Sequence, residues 1–139
     1  MINARENLLN ITNKLLTAGL NHGATGNCSC RDSGGFLITP TGVDSSKLTT
    51  DMMVRMNLSD NLSQPESKYQ PSSEWQFHQA ILEKYPEINA VVHTHSVFAS
   101  SLSVLGQEIP AFHYMIAVAG GNSVRCAPYA MFGTKELSD

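Results

Sequence analysis

The sequence predicts a mixed protein of the α/β or α+β class, and two observations lead to this prediction. Apolar side chains recur at helical spacing in residues 3–18 and again in PSSEWQFHQAILEKY at residues 71–85. Short segments typical of strands lie between and after these two stretches, among them NCSCRD, FLIT and AVVH. Because strands and helices alternate along the chain, we expect helices packed against a sheet.

The elements in the first half of the chain have recognisable start and turn signals. Asn3, followed three residues later by Glu6, resembles a capping box, and the apolar stripe behind it ends at Gly19. NCSCRD and FLIT flank SGG and predict a β-hairpin, while MVRMNL before SDN predicts a further strand that enters a turn. Residues 60–70 are polar and rich in breakers, and we expect a loop there.

The second half begins with a predicted helix for which Ser72 is a candidate N-cap and Glu74 lies in the first turn. The strand AVVH follows, and SVFASSLSVLG predicts a short helix. Near the end, Thr134 is a candidate N-cap for a helix with almost no body.

Length and composition restrict the class of protein. The chain has 139 residues, 42% of them hydrophobic and 15% charged, which suits one domain with a real core. The formal net charge of −3 provides no basic field for nucleic acid or for anionic lipid. No stretch approaches the roughly 18 uninterrupted apolar residues of a membrane span, and the N-terminus has no secretory signal pattern. We therefore expect a cytoplasmic protein that binds neither nucleic acid nor membrane.

The three cysteines predict reduced thiols rather than a disulfide. Cys28 and Cys30 occupy alternate positions of one predicted strand, where the disulfide geometry is unfavourable. Without a second close pair of cysteines or histidines, small buried side chains are a better interpretation than metal ligands.

The segment AVVHTHS, residues 90–96, predicts a metal site. In a strand, Val91, His93 and His95 project on one side, so both imidazoles face the same point. Two converging ring nitrogens suit Zn²⁺, which takes imidazole and carboxylate ligands readily. Two strand histidines paired with backbone carbonyls and water are an equally good interpretation of this motif taken alone.

The helix at residues 71–85 offers a third ligand. Glu74 is a candidate carboxylate ligand, although an acidic residue in a first turn also simply stabilises the helix dipole. Ser72 and Ser73, with the amides of the same turn, form a place for an anion, whereas Ser72 alone is explained equally well as an N-cap. His78 is a possible competitor for metal, but a hydrogen-bonded helix histidine is the simpler interpretation.

Two loops carry the glycines and small polar residues that cradle phosphate. HGATGNCS places Gly23 and Gly26 before Asn27, and TPTGV exposes the backbone of Thr41 and Gly42. Each loop taken singly is explained by an ordinary turn.

Taken together in this order, GLNHGATGNCSCR, LITPTG, PSSEWQFH, AVVHTHS, IPAFHYMIAVAGGNS and CAPYAMFGT resemble the class II aldolase and adducin family over nearly the whole chain. The resemblance implies a three-layer αβα domain with a mainly antiparallel central sheet. It also implies a homotetramer and a catalytic Zn²⁺ near the subunit interface, where another divalent ion is an alternative.

The resemblance also assigns roles to individual residues. The family's metal ligands fall on Glu74, His93 and His95, and the tyrosine that a neighbouring subunit contributes falls on Tyr114. The positions that bind the substrate phosphate fall on Asn27, Thr41, Gly42, Ser72 and Ser73. One phosphate-loop position departs from the family, because its threonine is Ala24 here, with Thr25 adjacent.

The activity implied is cleavage of a ketose 1-phosphate, such as L-fuculose 1-phosphate, to dihydroxyacetone phosphate and an aldehyde such as L-lactaldehyde. Glu74 and Tyr114 are the expected catalytic residues. Two alternatives remain open: a sugar-phosphate 4-epimerase of the L-ribulose-5-phosphate type and a non-catalytic adducin-like interaction domain. SSEWQFH favours the aldolase, HTHS matches the epimerases, and the intact Glu74, His93 and His95 disfavour the adducin type.

The family comparison further suggests one class II aldolase/adducin-type domain over residues 1–139 that lacks its C-terminal part. Family members carry a third histidine ligand in that part, so we expect weak zinc binding and little activity from 139 residues alone. His22, His78 or His113 would have to take its place.

Overall fold

The computed structural model describes residues 3–58 and 67–139. The predicted loop at 60–70 and the SDN turn therefore lie mostly outside the described residues. Backbone contacts divide the chain into two units, one up to Thr94 together with Ala130–Asp139, and the other His95–Tyr129.

The first unit contains an antiparallel sheet with a helix on each face. Helix α1 spans Ala4–Thr17, and the four strands are β1 (Asn27–Asp32), β2 (Gly35–Ile38), β3 (Val54–Asn57) and β4 (Ala90–His93). Their order in the sheet is β3-β2-β1-β4. Helix α2 spans Trp75–Lys84, and a short helix α4 spans Lys135–Ser138. Short 3-10 turns occupy Ser45–Lys47 and Thr50–Met52.

The two faces of the sheet bury separate apolar clusters, because alternate strand residues point to opposite sides. Towards α1, one cluster joins Leu8, Cys28, Leu37 and Met53. Towards α2, the other cluster joins Phe36, Ile38, Val54, Met56 and Leu82. The helix, sheet and helix thus form the three layers that the resemblance implied.

The start of α1 confirms the predicted capping box. The side chain of Asn3 accepts from the backbone of Arg5, and the Glu6 carboxylate accepts from the backbone N–H of Asn3. The N-terminal amides of the helix thereby find partners. The predicted hairpin is also confirmed, with Cys30 opposite Leu37 and Asp32 opposite Gly35.

Arg31 anchors the end of α2 to the sheet. Its guanidinium donates to the backbone carbonyls of Leu82, Tyr85 and Ile88. A cation at these carbonyls interacts favourably with the negative end of the helix dipole. The position of α2 over the sheet is therefore determined by a charged contact at one end as well as by apolar packing.

The second unit contains helix α3 (Val97–Val104) and a 3-10 helix at Tyr114–Ala119. Ile109 and Val124, which flank the 3-10 helix in the chain, pair in an isolated antiparallel bridge. Large apolar side chains on this unit are largely exposed, including Phe98, Val104, Phe112 and Val118. No helix among the described residues is long and apolar enough to cross a membrane.

All three cysteines are free thiols. Cys28 and Cys30 lie in or against the apolar cluster beneath α1, as expected for small buried side chains. Burial raises the pKa of Cys28 to about 11, so this residue stays a neutral thiol at physiological pH.

Two glycines allow the local packing before β1 to be tested. Gly19 and Gly26 have nearly the same φ, +68° and +67°, in the left-handed region where a side chain costs about 1–2 kcal/mol. A Cβ at Gly19 would meet nothing within 4 Å, whereas at Gly26 it would lie 2.3 Å from the buried side chain of Asn21. We predict that Gly26→Ala lowers the free energy of unfolding by about 1–3 kcal/mol more than Gly19→Ala does.

Chemical denaturation of both variants beside the wild type measures this difference. Because Gly19→Ala isolates the backbone cost, equal losses in the two variants would show that Asn21 moves aside freely.

Candidate metal centre

The candidate site is built on the pairing of β1 with β4. Asn27 lies opposite His93, and Ser29 lies opposite Val91. Residues directly opposite each other in an antiparallel pair project on the same face, so these four side chains share one side of the sheet. Val91 packs against the cluster that contains Leu82 of α2, which identifies this side as the α2 face.

The backbone of His93 is held from the turn before β1. The side-chain amide of Asn21 donates to the carbonyl of His93 at 3.4 Å, and Asn21 is buried. Gly26 leaves the space that this amide occupies. The glycine-containing turn therefore positions the end of β4 as well as the start of β1.

Glu74 occupies a different place from the one predicted. The helix begins at Trp75, and Glu74 is its N-cap residue rather than a member of the first turn. Ser72 is not the N-cap, although its Oγ accepts from the backbone N–H of Glu74 at 3.3 Å. The reason is that the backbone of Ser72 is paired with Thr39, which keeps residues 71–72 extended.

The carboxylate of Glu74 faces the sheet, where it contacts Asn27 and His93. Its Oε2 accepts from Nδ2 of Asn27 at 2.8 Å and lies 3.5 Å from Nε2 of His93. The Glu74 and His93 side chains are 14% and 30% exposed, so a small ligand can still reach both groups.

Glu74, His93 and His95 bring one ligand atom each to within 4.8 Å of one another. Ligand atoms around a tetrahedral zinc with bonds of about 2.0–2.2 Å lie about 3.3–3.6 Å apart, which matches the distance between Glu74 and His93. Two imidazoles and one carboxylate are also the donor set of several catalytic zinc sites, in which a further position stays open for water or substrate. The residues present therefore fit a divalent metal.

His78 does not compete for this metal, because both of its ring nitrogens are already bonded. Nδ1 lies 2.7 Å from Ser29 Oγ, and Nε2 lies 2.5 Å from Asn27 Oδ1. The residue is completely buried. Burial, with a smaller contribution from His93, lowers the pKa of His78 to about 3, so the ring is neutral at physiological pH. A hydrogen-bonded helix histidine was expected, but its partners come from β1.

The segments with phosphate-binding character lie side by side. The backbone N–H of Thr41 donates to Gln70, that of Ser72 donates to Thr39, and Pro40 pairs with Pro71. This short ladder places the exposed Thr41–Gly42 turn next to Ser72 and Ser73. Asn27 belongs to the same region through Glu74, although its amide also bonds to His78.

Two features were not apparent from the sequence, one beside Ser73 and one in the turn before β1. Gly133 approaches Ser73 so closely that a Cβ would lie 2.9 Å from the serine carbonyl oxygen, and its φ of +72° also favours glycine. The hydroxyl of Thr25 bonds to the backbone of His22, so it is engaged within its own turn beside Ala24.

Tyr114, the remaining predicted catalytic residue, lies in the second unit at the start of the 3-10 helix. Its side chain is 80% exposed, and its ring packs against that of His113 at 4.4 Å between centroids. An exposed phenol on this unit is available to another molecule.

The sequence matches known proteins over most of its length. Residues 6–139 match the family described as the Class II Aldolase and Adducin N-terminal domain. L-fuculose phosphate aldolase from Escherichia coli K12 is 52% identical over 121 residues, which are 87% of this chain and 55% of the relative. A 5-methylthioribulose-1-phosphate/5-deoxyribulose-1-phosphate aldolase from Rhodospirillum rubrum is 46% identical over 134 residues, 96% of this chain and 59% of the relative.

A solved structure of an L-fuculose 1-phosphate aldolase superposes with a TM-score of 0.88 at 37% identity, covering 97% of this chain and 63% of that one. The chain thus spans less than two thirds of the length of the relatives it matches. The sequence match and the shared fold together show that this chain belongs to the class II aldolase and adducin family.

Proposed function

We propose that the chain acts as a metal-dependent class II aldolase, which cleaves a ketose 1-phosphate to dihydroxyacetone phosphate and an aldehyde. The observation that carries the proposal is that Glu74, His93 and His95 each bring a ligand atom to within 4.8 Å of the others. The Glu74–His93 distance of 3.5 Å also suits a tetrahedral divalent ion. The donor set favours zinc among these ions. The intact ligands Glu74, His93 and His95 also favour an enzyme over an adducin-like interaction domain.

A divalent ion held by these three residues would supply a Lewis acid that stabilises the negative charge left on oxygen when the carbon–carbon bond beside the ketone breaks. His93 keeps its position through the end of β4, whose backbone Asn21 holds at this residue. His95 follows two residues beyond the end of the strand. The hydrogen bond from Asn27 keeps the Glu74 carboxylate on the same side of the sheet as His93.

Glu74 is the group proposed to move a proton at carbon. In the synthetic direction it takes the proton from the carbon that becomes the nucleophile, and in cleavage it returns that proton. The Asn27 amide holds one carboxylate oxygen by donating to it. This contact fixes the orientation of the base relative to His93 without neutralising it.

The substrate phosphate is proposed to bind between Ser72–Ser73 and the Thr41–Gly42 turn, with Asn27 at the inner end. The ladder between residues 39–41 and 70–72 supports this assignment, because it brings hydroxyls and a glycine backbone into one exposed place. Binding energy at the phosphate then orients the reacting carbons over Glu74.

Tyr114 is proposed to serve the site of a neighbouring subunit in a homotetramer, where it handles the proton of the aldehyde oxygen. Its 80% exposure and the exposed apolar side chains around it on the second unit support an intermolecular role.

The substrate class follows from what the relatives share. The names of the solved and curated relatives specify three ketose 1-phosphates, namely L-fuculose 1-phosphate, 5-methylthioribulose 1-phosphate and 5-deoxyribulose 1-phosphate. All would leave the same phosphorylated fragment and differ only in the aldehyde. We therefore propose ketose 1-phosphates with an unphosphorylated far end as the substrates.

A cleavage panel tests this function. We predict that the zinc-loaded chain slowly releases dihydroxyacetone phosphate from at least one of these three ketose 1-phosphates, in keeping with the little activity expected of these 139 residues alone. We predict no interconversion of pentulose 5-phosphates. Coupled reduction of the triose phosphate measures the first activity, and chromatography of the sugars measures the second. Interconversion without release of triose phosphate would favour a 4-epimerase. A chain that shows neither activity would contradict an enzymatic role.

The phosphate assignment predicts a selective effect of Ser73→Ala. Removing a hydroxyl that donates to a charged phosphate should cost about 1.5–3 kcal/mol, which corresponds to a KM raised roughly 10–100-fold. Bound zinc per chain should stay unchanged, because Ser73 is not a ligand.

Steady-state kinetics and metal analysis of Ser73→Ala beside Ser33→Ala check this expectation, since Ser33 is an exposed hairpin residue at the other end of β1. An unchanged KM for Ser73→Ala would remove this serine from the phosphate site.

The shared site predicts complementation between two defective subunits. Glu74→Ala and Tyr114→Phe should each lose most of the cleavage activity alone. Co-expressed in one cell, they should regain part of it, because some sites then combine an intact Glu74 from one subunit with an intact Tyr114 from another.

Differently tagged subunits, purified through both tags, provide the mixed oligomers for this measurement. Co-expression of Glu74→Ala with His93→Gln is the matched control. Each subunit's own metal centre then carries one of the two substitutions, so no site is intact and no recovery is expected. Absence of recovery in the Glu74 and Tyr114 mixture would place Tyr114 outside the neighbouring site.

A further inference from the structure

A chain of polar contacts leads from the middle of the sheet to the candidate metal centre. Ser29 bonds to His78, His78 bonds to Asn27, and Asn27 bonds to Glu74, with distances of 2.7, 2.5 and 2.8 Å. Glu74 ends the chain beside His93. Ser29, Asn27 and His78 are buried, so water cannot readily substitute for any of these partners.

The chemistry of the groups fixes the direction of each hydrogen bond. A carboxylate can only accept, so the NH₂ group of Asn27 faces Glu74 and its oxygen faces His78. The amide oxygen can only accept in turn, so Nε2 of His78 carries the proton. In the neutral ring Nδ1 is then an acceptor, which the hydroxyl of Ser29 satisfies by donating.

We propose that His78 is a positioning residue for the metal centre, which locks the Asn27 amide so that its NH₂ group holds the Glu74 carboxylate in place for the metal. This deepens the proposed function and rests on it. Ser29 completes the chain of contacts by donating to Nδ1, which satisfies the Nε2–H form of the ring.

The geometry explains why Asn27 needs such a lock. An amide has nearly the same shape in its two flipped orientations, and the wrong one would point its oxygen at the Glu74 carboxylate. With the proton on Nε2, His78 disfavours the flipped orientation. The NH₂ group of a flipped amide would face the Nε2–H group, so two donors would meet without an acceptor. His78 follows Glu74 by one helical turn, so α2 presents the carboxylate and the ring to the two ends of one amide.

The lock acts on metal affinity through Glu74. Partners that orient a metal ligand from behind typically change affinity by about 10–100-fold when they are removed. We expect His78→Phe, which keeps a ring but removes the donor, to weaken zinc binding by about that factor. His78→Gln can place an amide N–H near the position of Nε2 and should recover most of the affinity.

The experiment measures zinc dissociation constants by competition with a chromophoric chelator for the wild type, His78→Phe, His78→Gln and Ser29→Ala. Lys84→Gln, a substitution of an exposed residue at the far end of α2 from Glu74, is the control and should bind zinc as the wild type does. Denaturation of each metal-free variant reports stability separately. If His78 has only a structural role, the zinc affinities of the variants should follow their stabilities. The lock predicts that His78→Phe binds zinc more weakly than His78→Gln, whichever of the two variants is the more stable.

Long-range ¹H–¹⁵N NMR of the histidine rings in the metal-free wild type provides a second measurement that needs no substitution. The proposal requires the Nε2–H form of His78 in the wild type and also in Ser29→Ala. The Glu74 carboxylate turns the oxygen of the Asn27 amide towards the ring, and only Nε2–H can donate to that oxygen. An Nδ1–H form in the wild type would overturn it, and so would equal zinc affinity in the wild type and in folded His78→Phe. If His78→Phe does not fold, Ser29→Ala and the wild-type spectrum decide the question.

These results are distinguishable from a failure of the proposed function. A wild-type chain that binds zinc with the predicted dependence on His78, but cleaves no ketose 1-phosphate, would contradict the aldolase and support the lock. If the wild-type chain cleaves these substrates but its zinc affinity does not change on substitution of His78, the result would support the aldolase and contradict the lock.

Discussion

The register of β1 against β4 is the constraint on which the candidate site depends. It places Asn27 opposite His93 on the face covered by α2. Because β1 is also paired with β2, a shift of β4 by one residue would send His93 to the α1 face, away from Asn27 and Glu74. The register is specified by the apolar residues behind it, since Cys28 must reach the cluster under α1 while Val91 must reach the cluster under α2. The same packing that forms the core therefore aligns the polar groups.

The α2 face changes character along the sheet. Towards β2 and β3 it is apolar and fully packed by Phe36, Ile38 and Val54. Towards β1 and β4 it carries Ser29, Asn27 and His93 instead. A buried polar atom without a partner costs about 1–3 kcal/mol, so these groups are compatible with a stable sheet because each has a partner in the next. At β1 and β4, these polar groups orient the Glu74 carboxylate instead of adding to the apolar packing between α2 and the sheet.

Much of this arrangement follows from local signals in the sequence. The capping pair of Asn3 and Glu6, the hairpin at Ser33–Gly34 and the alternation of Val91 and His93 all act over a few residues, and each was predictable. The partners of His78 were not, because Asn27 and Ser29 precede it by about 50 residues and only the folded sheet brings them under α2.

The start of α2 was misplaced for a related reason. Ser72, Ser73 and Glu74 are three consecutive polar residues, and Ser72 and Ser73 are favoured N-cap types, so local preference alone selects the earliest. Pairing between Thr39 and Ser72, which is a long-range contact, keeps Ser72 extended and moves the N-cap to Glu74. The site of Tyr114 is further removed still, since its proposed role requires a second subunit.

The central claim is that Glu74, His93 and His95 hold one divalent ion. Crystals of the chain grown with zinc, with diffraction recorded on both sides of the zinc absorption edge, locate that ion without assumption. The account predicts one anomalous peak per chain, with a Glu74 carboxylate oxygen and one ring nitrogen of each histidine at about 2.0–2.2 Å. A peak bound by other residues, or no peak within reach of these three, would contradict it.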